Sequence, residues 1–162
     1  MVNKQFNDST MHQPIIKKFN ELTSSELYQI LKLRSEVFVV EQDCVYQDID
    51  DKDPQAIHLF LSDRDKVIAY TRLFAPGLYF KTASIGRVVV ATEYRKNGLG
   101  HQLMDVSIKA VQGQFNTSKI TISAQTYLKK FYESHKFIQK GKEYLEDGIP
   151  HIKMVYSNVI SK

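Results

Sequence analysis

Residues 85–104 read Ile85-Gly86-Arg87-Val88-Val89-Val90, then Ala91-Thr92-Glu93-Tyr94, then Arg95-Lys96-Asn97-Gly98-Leu99-Gly100-His101-Gln102-Leu103-Met104. Three consecutive valines without polar alternation describe a strand buried on both faces. After a polar loop, apolar residues return at Leu99, Leu103, Val106, Ala110 and Val111, which is helical spacing. A strand therefore feeds a basic, glycine-bearing loop that opens a helix. The first amides of a helix have no intrahelical partner, and the macrodipole adds partial positive charge at that end. Glycines let a ligand approach the backbone, and Arg95 and Lys96 add full charges. Such a stretch is an anion cradle whose natural guest is a phosphate or pyrophosphate.

Two common phosphate loops are excluded. The Walker pattern requires Gly-Lys-Ser/Thr at the helix start, whereas Gly100 is followed by His101 and Gln102. The dinucleotide fingerprint requires three glycines directly after the strand, and Leu103 stands at the third position. What remains is Arg-x-x-Gly-x-Gly some residues beyond a valine strand. Glycines at a helix start also serve plain packing, so the loop does not decide by itself.

At 162 residues the chain is expected to form one domain over 14–162, with a flexible tail over 1–13. No apolar run approaches the length of a membrane span, and the N-terminus lacks a signal-peptide core, so no membrane partner and a cytoplasmic location are expected. The single cysteine, Cys44, excludes an internal disulfide and a multi-cysteine metal site, and no metal is expected. Without an evident histidine partner it reads as an incidental thiol. The net charge of +4 comes from scattered lysines rather than a basic face, which argues against nucleic acid. The densest charge run is acidic instead: Asp43, Asp48, Asp50, Asp51 and Asp53 come after Glu41.

In chain order, Pro14-Ile15-Ile16-Lys17-Lys18-Phe19 reads as a first strand, and Thr23 or Ser24 caps a helix over 24–40. Next comes a long acidic loop over 41–55, which alone reads as a solvated surface or a functional loop. Strands over 56–61 and 67–74 form a hairpin, and the valine strand and cradle helix come after it. A strand over 119–125, a helix over 128–135 and strands over 137–145 and 150–157 complete the chain, the last two joined by an Asp147-Gly148 turn. This order predicts a mixed α/β domain, a sheet of about 6–7 strands covered by helices.

The chain resembles the ElaA-like branch of the GNAT superfamily of N-acetyltransferases over nearly all of residues 22–156. The resemblance is carried by Leu33-Arg34-Ser35-Glu36-Val37-Phe38-Val39-Val40-Glu41-Gln42, Tyr46-Gln47-Asp48-Ile49-Asp50, the valine strand with its glycine cradle, Phe131-Tyr132, and Tyr144-Leu145-Glu146-Asp147-Gly148-Ile149-Pro150-His151. It implies the acyl-CoA N-acyltransferase fold, acetyl-CoA as cosubstrate, and a small-molecule or peptide amine as acceptor. Val88, Val89 and Val90 would pair with the pantetheine arm, and Arg95, Lys96, Asn97, Gly98, Leu99 and Gly100 would offer amides to the pyrophosphate. Tyr132 matches the tyrosine that protonates the departing thiolate beside the cofactor. Gln125 stands where many members carry an asparagine that contacts pantetheine.

Acyl transfer to an amine also needs a base, a carboxylate or histidine. Candidates are His58, Glu41, Glu146 and His151. By alternation, Arg87 shares a face with Ile85 and Val89, and a charge there requires a carboxylate partner or contacts a substrate anion. Asp48 and Asp50 in the acidic loop would steer a cationic amine. A monomer or a homodimer paired through C-terminal edge strands is compatible with the pattern. The competing reading is a non-catalytic acyl-CoA-binding module of the same fold.

Overall fold

The computed structural model describes residues 11–158. The expected tail lies outside the described residues as far as residue 10. His12 is tied down, its Nδ1 3.1 Å from the Ser62 carbonyl and its own carbonyl accepting from Gln102 at 2.8 Å.

The strands are β1 (Ile15–Lys18), β2 (Ile57–Asp63), β3 (Lys66–Phe74), β4 (Ala83–Val90), β5 (Ile120–Gln125), β6 (Phe137–Gln139), β7 (Tyr144–Glu146) and β8 (Ile149–Tyr156). They form one mixed sheet in the order β1-β2-β3-β4-β5-β8-β6, with β7 also on β8. That is more strands than expected, because the single strand read over 137–145 divides. Gly141, at φ +83°, turns the chain out between β6 and β7, and both halves pair with β8. The Asp147-Gly148 turn forms as read, both residues having the positive φ of a two-residue hairpin loop.

The helices are α1 (Ser24–Arg34), α2 (Leu99–Phe115) and α3 (Lys129–Ser134). A capping box starts α1: Thr23 Oγ1 accepts from the Glu26 amide at 3.1 Å, and the Glu26 carboxylate accepts from the Thr23 amide at 2.9 Å. The helical span expected to residue 40 is present, but beyond Arg34 it widens into a π-helical segment, Ser35–Glu41. Such widenings cluster at functional sites. On one face of the sheet α2 buries Leu103, Ile108 and Val111 against Leu59, Leu61 and Ile68; on the other, α1 packs Ile30 and Leu33 on Phe60, Tyr70 and Val89.

Two departures from regular sheet geometry set the surroundings of β4. β4 and β5 run parallel but pair only at Ala83–Ile120 and Ser84–Thr121, and then separate. The β5-facing edge of β4 is thus left without a strand partner for most of its length. Opposite β3, β4 carries a bulge: two β3 steps from Tyr70 to Arg72 face three β4 steps from Val89 to Gly86. The extra residue reverses side-chain alternation, so Ile85 packs toward α2 while Val89 packs toward α1. The expectation that Arg87 shares a face with both is therefore corrected, and Arg87 itself sits in the bulge at φ +50°.

Candidate functional site

The acidic loop is neither a solvated surface nor a free steering patch. Arg34 binds Asp48 at 2.9 Å and Asp53 at 2.7 Å; Arg72 binds Asp53 at 3.0 Å and Asp50 at 2.7 Å; Arg87 binds Asp48 at 2.8 Å and Asp50 at 3.4 Å. These contacts close a ring of three guanidiniums and three carboxylates that ties the loop to α1, β3 and β4. Tyr46 donates to Asp48 at 2.9 Å. Asp48 and Asp50, expected to meet the substrate, are consumed here, and Arg87 has found its carboxylates. His58 is fully buried behind the ring, its Nε2 donating to the Asp53 carbonyl at 3.0 Å and its Nδ1 accepting from Tyr70 at 2.8 Å. With both nitrogens occupied and no exposed surface, His58 leaves the list of candidate bases.

Burial alone would raise the Asp50 and Asp53 carboxyls, but the Arg72 hydrogen bonds on Asp50 and the Arg34 hydrogen bond on Asp53 hold both below the usual carboxylate range. A depressed folded value stabilises the fold above the unfolded value near 4, and that stabilisation is lost as pH falls through it. Burial likewise holds His58 and His135 below the usual histidine value, so urea midpoints are expected to begin falling below about pH 6.5 and to drop more steeply below about pH 4. Asp50→Asn should remove about one linked proton from that acid limb. An acid limb identical in wild type and variant would show that Asp50 is not part of it.

Between the splayed strands lies a cavity of about 810 Å³. Val88, Val89, Val90, Arg95, Lys96, Gly98, Leu99, Gly100, Gln125 and Tyr132 all line it, as do Arg87, Glu41, Glu146 and His151; Asn97, Asp48, Asp50 and His58 do not. At one end, Gly98 occupies the N-cap of α2 in left-handed conformation (φ +74°), with no side chain capping the helix. The helix's first backbone bond runs from the Gln102 amide to the Gly98 carbonyl at 3.1 Å, so the Leu99, Gly100 and His101 amides precede it without helical partners. A Cβ on Gly98 would meet nothing within 4 Å, and one on Gly100 would stand 3.7 Å from the Phe131 ring, an ordinary contact. Packing therefore demands neither glycine's bareness, and the exposed backbone fits an anionic guest.

The charges around this end are arranged as pairs and relays. Arg95 grips Glu41 through both terminal nitrogens, at 2.6 and 2.7 Å, and donates to the Val90 carbonyl at 3.1 Å. That hydrogen bonding holds Glu41 below its usual range, so it spans the mouth as an ion pair and is a poor base. His101, which also lines the cavity, sits at the head of a chain: its Nδ1 is 2.9 Å from His135 Nε2, and His135 Nδ1 is 3.0 Å from Asp105.

Tyr132 is held by edge-on contacts with Phe131 and Phe137, and burial pushes its phenol up, so it stays protonated. Its hydroxyl has no partner among the described residues. Across the splay, Ser123 Oγ lies 2.5 Å from both the Glu146 carboxylate and the Tyr144 hydroxyl. His151 Nδ1 donates to the Ile149 carbonyl at 2.7 Å, which fixes the tautomer and leaves Nε2 as an acceptor. The segment over 41–46 passes over the gap. Gln42 accepts from Gln125 at 3.0 Å, and the Cys44 thiol lies 3.4 Å from the Asp147 carbonyl.

Sequence reasoning missed Ser123, Gln42 and the aromatic wall of Phe74, Tyr79 and Phe80. Ser123 was within reach, since it alternates with Gln125 on β5. The others depend on loops meeting in space.

Residues 20–158 match the family described as an acetyltransferase (GNAT) domain. A UPF0039 protein of Schizosaccharomyces pombe is 42% identical over 142 residues, 86% of this chain and 93% of the relative. Among solved structures, an acyl-CoA N-acyltransferase from Pseudomonas aeruginosa superposes with a TM-score of 0.84 at 39% identity, over 90% of this chain and 99% of that one. Escherichia coli ElaA does so with a TM-score of 0.82 at 35% identity, again over 90% and 99%.

Proposed function

Because the chain belongs to the GNAT acetyltransferase family, in its ElaA-like branch, we propose that residues 14–162 form one transferase domain that moves an acetyl group from acetyl-CoA to a primary amine. The observation that carries this reading is the meeting of three features in one cavity: an open strand edge, an uncapped helix N-terminus, and a tyrosine hydroxyl without a partner among the described residues.

The free edge of β4 receives the amides of the pantetheine arm, with Gln125 facing it from β5. The Leu99, Gly100 and His101 amides and the Lys96 charge hold the phosphates. The thioester supplies an activated acyl group. An amide of the valine strand meets the negative charge that develops on its carbonyl, an interaction worth a few kcal/mol in a dry site. Glu146 holds the incoming ammonium through the far wall of the cavity. His151 Nε2 takes the proton that the amine must lose before it attacks directly. Tyr132 delivers a proton to the departing sulfur.

The test is release of free coenzyme A thiol from acetyl-CoA in the presence of amines. Tyr132→Phe is expected to lower kcat by about 100-fold while leaving KM for acetyl-CoA within about twofold, because a proton donor acts in the transition state and not in ground-state binding. Tight acetyl-CoA binding without amine-dependent thiol release would favour a non-catalytic binding module. An unchanged kcat would remove Tyr132 from the mechanism.

A further inference from the structure

The acceptor end of the cavity can be read by asking which of its charges are already satisfied. Arg72 and Arg87 reach the lining, but the ring sets three guanidiniums against three carboxylates, and its formal charge sums to zero. Arg95 is matched by Glu41. Lys96 belongs to the cradle end. Lys153 lies across β8, its ammonium over the Phe80 ring at 5.9 Å, and does not line the cavity. Glu146 differs from all of these. It lines the cavity, accepts a hydrogen bond from Ser123 at 2.5 Å, and makes no salt bridge among the described residues. Asp147 beside it adds a second negative charge.

The wall facing this carboxylate is aromatic. Phe74 and Tyr79 stack at 5.5 Å with 22° between planes, and Phe80 meets Tyr79 edge-on at 5.0 Å. Tyr79 lies within reach of both groups: burial raises its phenol first, and the Glu146 charge raises it next, with Arg87, Arg72 and Asp50 also felt. Carboxylate, flat apolar wall and neutralised ring therefore bound one chamber.

From this we infer that the acceptor is a cationic primary amine on a flat apolar body, without a carboxylate next to the nitrogen. The inference rests on the transferase reading. An ammonium entering the chamber gains Glu146 and the faces of the aromatic rings. A carboxylate on the neighbouring carbon meets Glu146 and Asp147 as like charges, and the guanidiniums that line the cavity, Arg72, Arg87 and Arg95, are each already paired with a carboxylate. A heavily hydroxylated body must give up its water to an apolar wall that offers few hydrogen bonds in return.

Three probes separate the classes: phenethylamine, phenylalanine and glucosamine, each with saturating acetyl-CoA. The expected kcat/KM for phenethylamine exceeds that for either of the others by tenfold or more, about 1.4 kcal/mol or more. Glu146→Gln should raise KM for phenethylamine about tenfold without changing the calorimetric affinity for acetyl-CoA. Glu146→Asp should recover part of the loss. Equal or better turnover of phenylalanine or glucosamine overturns the inference, as does turnover of none of the three by protein that binds acetyl-CoA. Failure to bind acetyl-CoA at all would instead overturn the transferase reading on which the inference stands.

Discussion

Asp53→Ala is expected to cost about 3–5 kcal/mol in urea unfolding at neutral pH, with the m-value unchanged. Asp53 sits at the junction of the buried ring, bound by Arg34 at 2.7 Å and Arg72 at 3.0 Å, and its side chain is 6% exposed. Removing it leaves two guanidiniums, themselves 0% and 1% exposed, with a hydrogen-bond partner missing and a positive charge uncompensated. Such groups forfeit their desolvation cost in full, whereas an exposed pair on the surface contributes little. Asp65→Ala, on the exposed β2–β3 turn, is the matched control and should change stability by no more than about 0.5 kcal/mol. Equal costs for the two would show that the ring does not hold the fold together.

The ring also shows where sequence reading stops. Its members are widely spaced, with Arg34 on α1, Arg72 on β3, Arg87 on β4 and three aspartates in one loop, so their pairing exists only after the sheet has assembled. From the sequence, Asp48 and Asp50 were indistinguishable from a solvated acidic face. Local features were legible: the valine strand, the Thr23 helix start, the Asp147-Gly148 turn and the glycine cradle are each encoded within a few residues. The β4 bulge was not, because a single extra residue leaves no mark on a run of valines and reverses every side chain beyond it. The division of the 137–145 strand was missed for a related reason, a lone glycine in a strand pattern being an ambiguous signal.

Of the candidate bases, the structure separates four histidines and carboxylates that the sequence left equal. His58 is sealed behind the ring and Glu41 is paired with Arg95, while Glu146 and His151 face the cavity. That distinction comes from hydrogen-bond partners, which no spacing rule supplies.

The most direct test of the central claim, that the gap between β4 and β5 with its glycine cradle takes acetyl-CoA, is calorimetric titration of acetyl-CoA into wild type and into the double variant Gly98→Asp with Gly100→Asp. Aspartate is among the residues that tolerate positive φ, and Gly100 has room for a Cβ, so the variant is expected to fold, at a cost of about 1 kcal/mol for a side chain at the left-handed Gly98 position. It places two negative charges where the uncapped amides would receive phosphate, and like charges in a partly dry site repel strongly. One-to-one binding to wild type, weakened by about 100-fold or more in the variant, about 2.8 kcal/mol, is the predicted result. No binding to wild type, or equal binding to a folded variant, would contradict it.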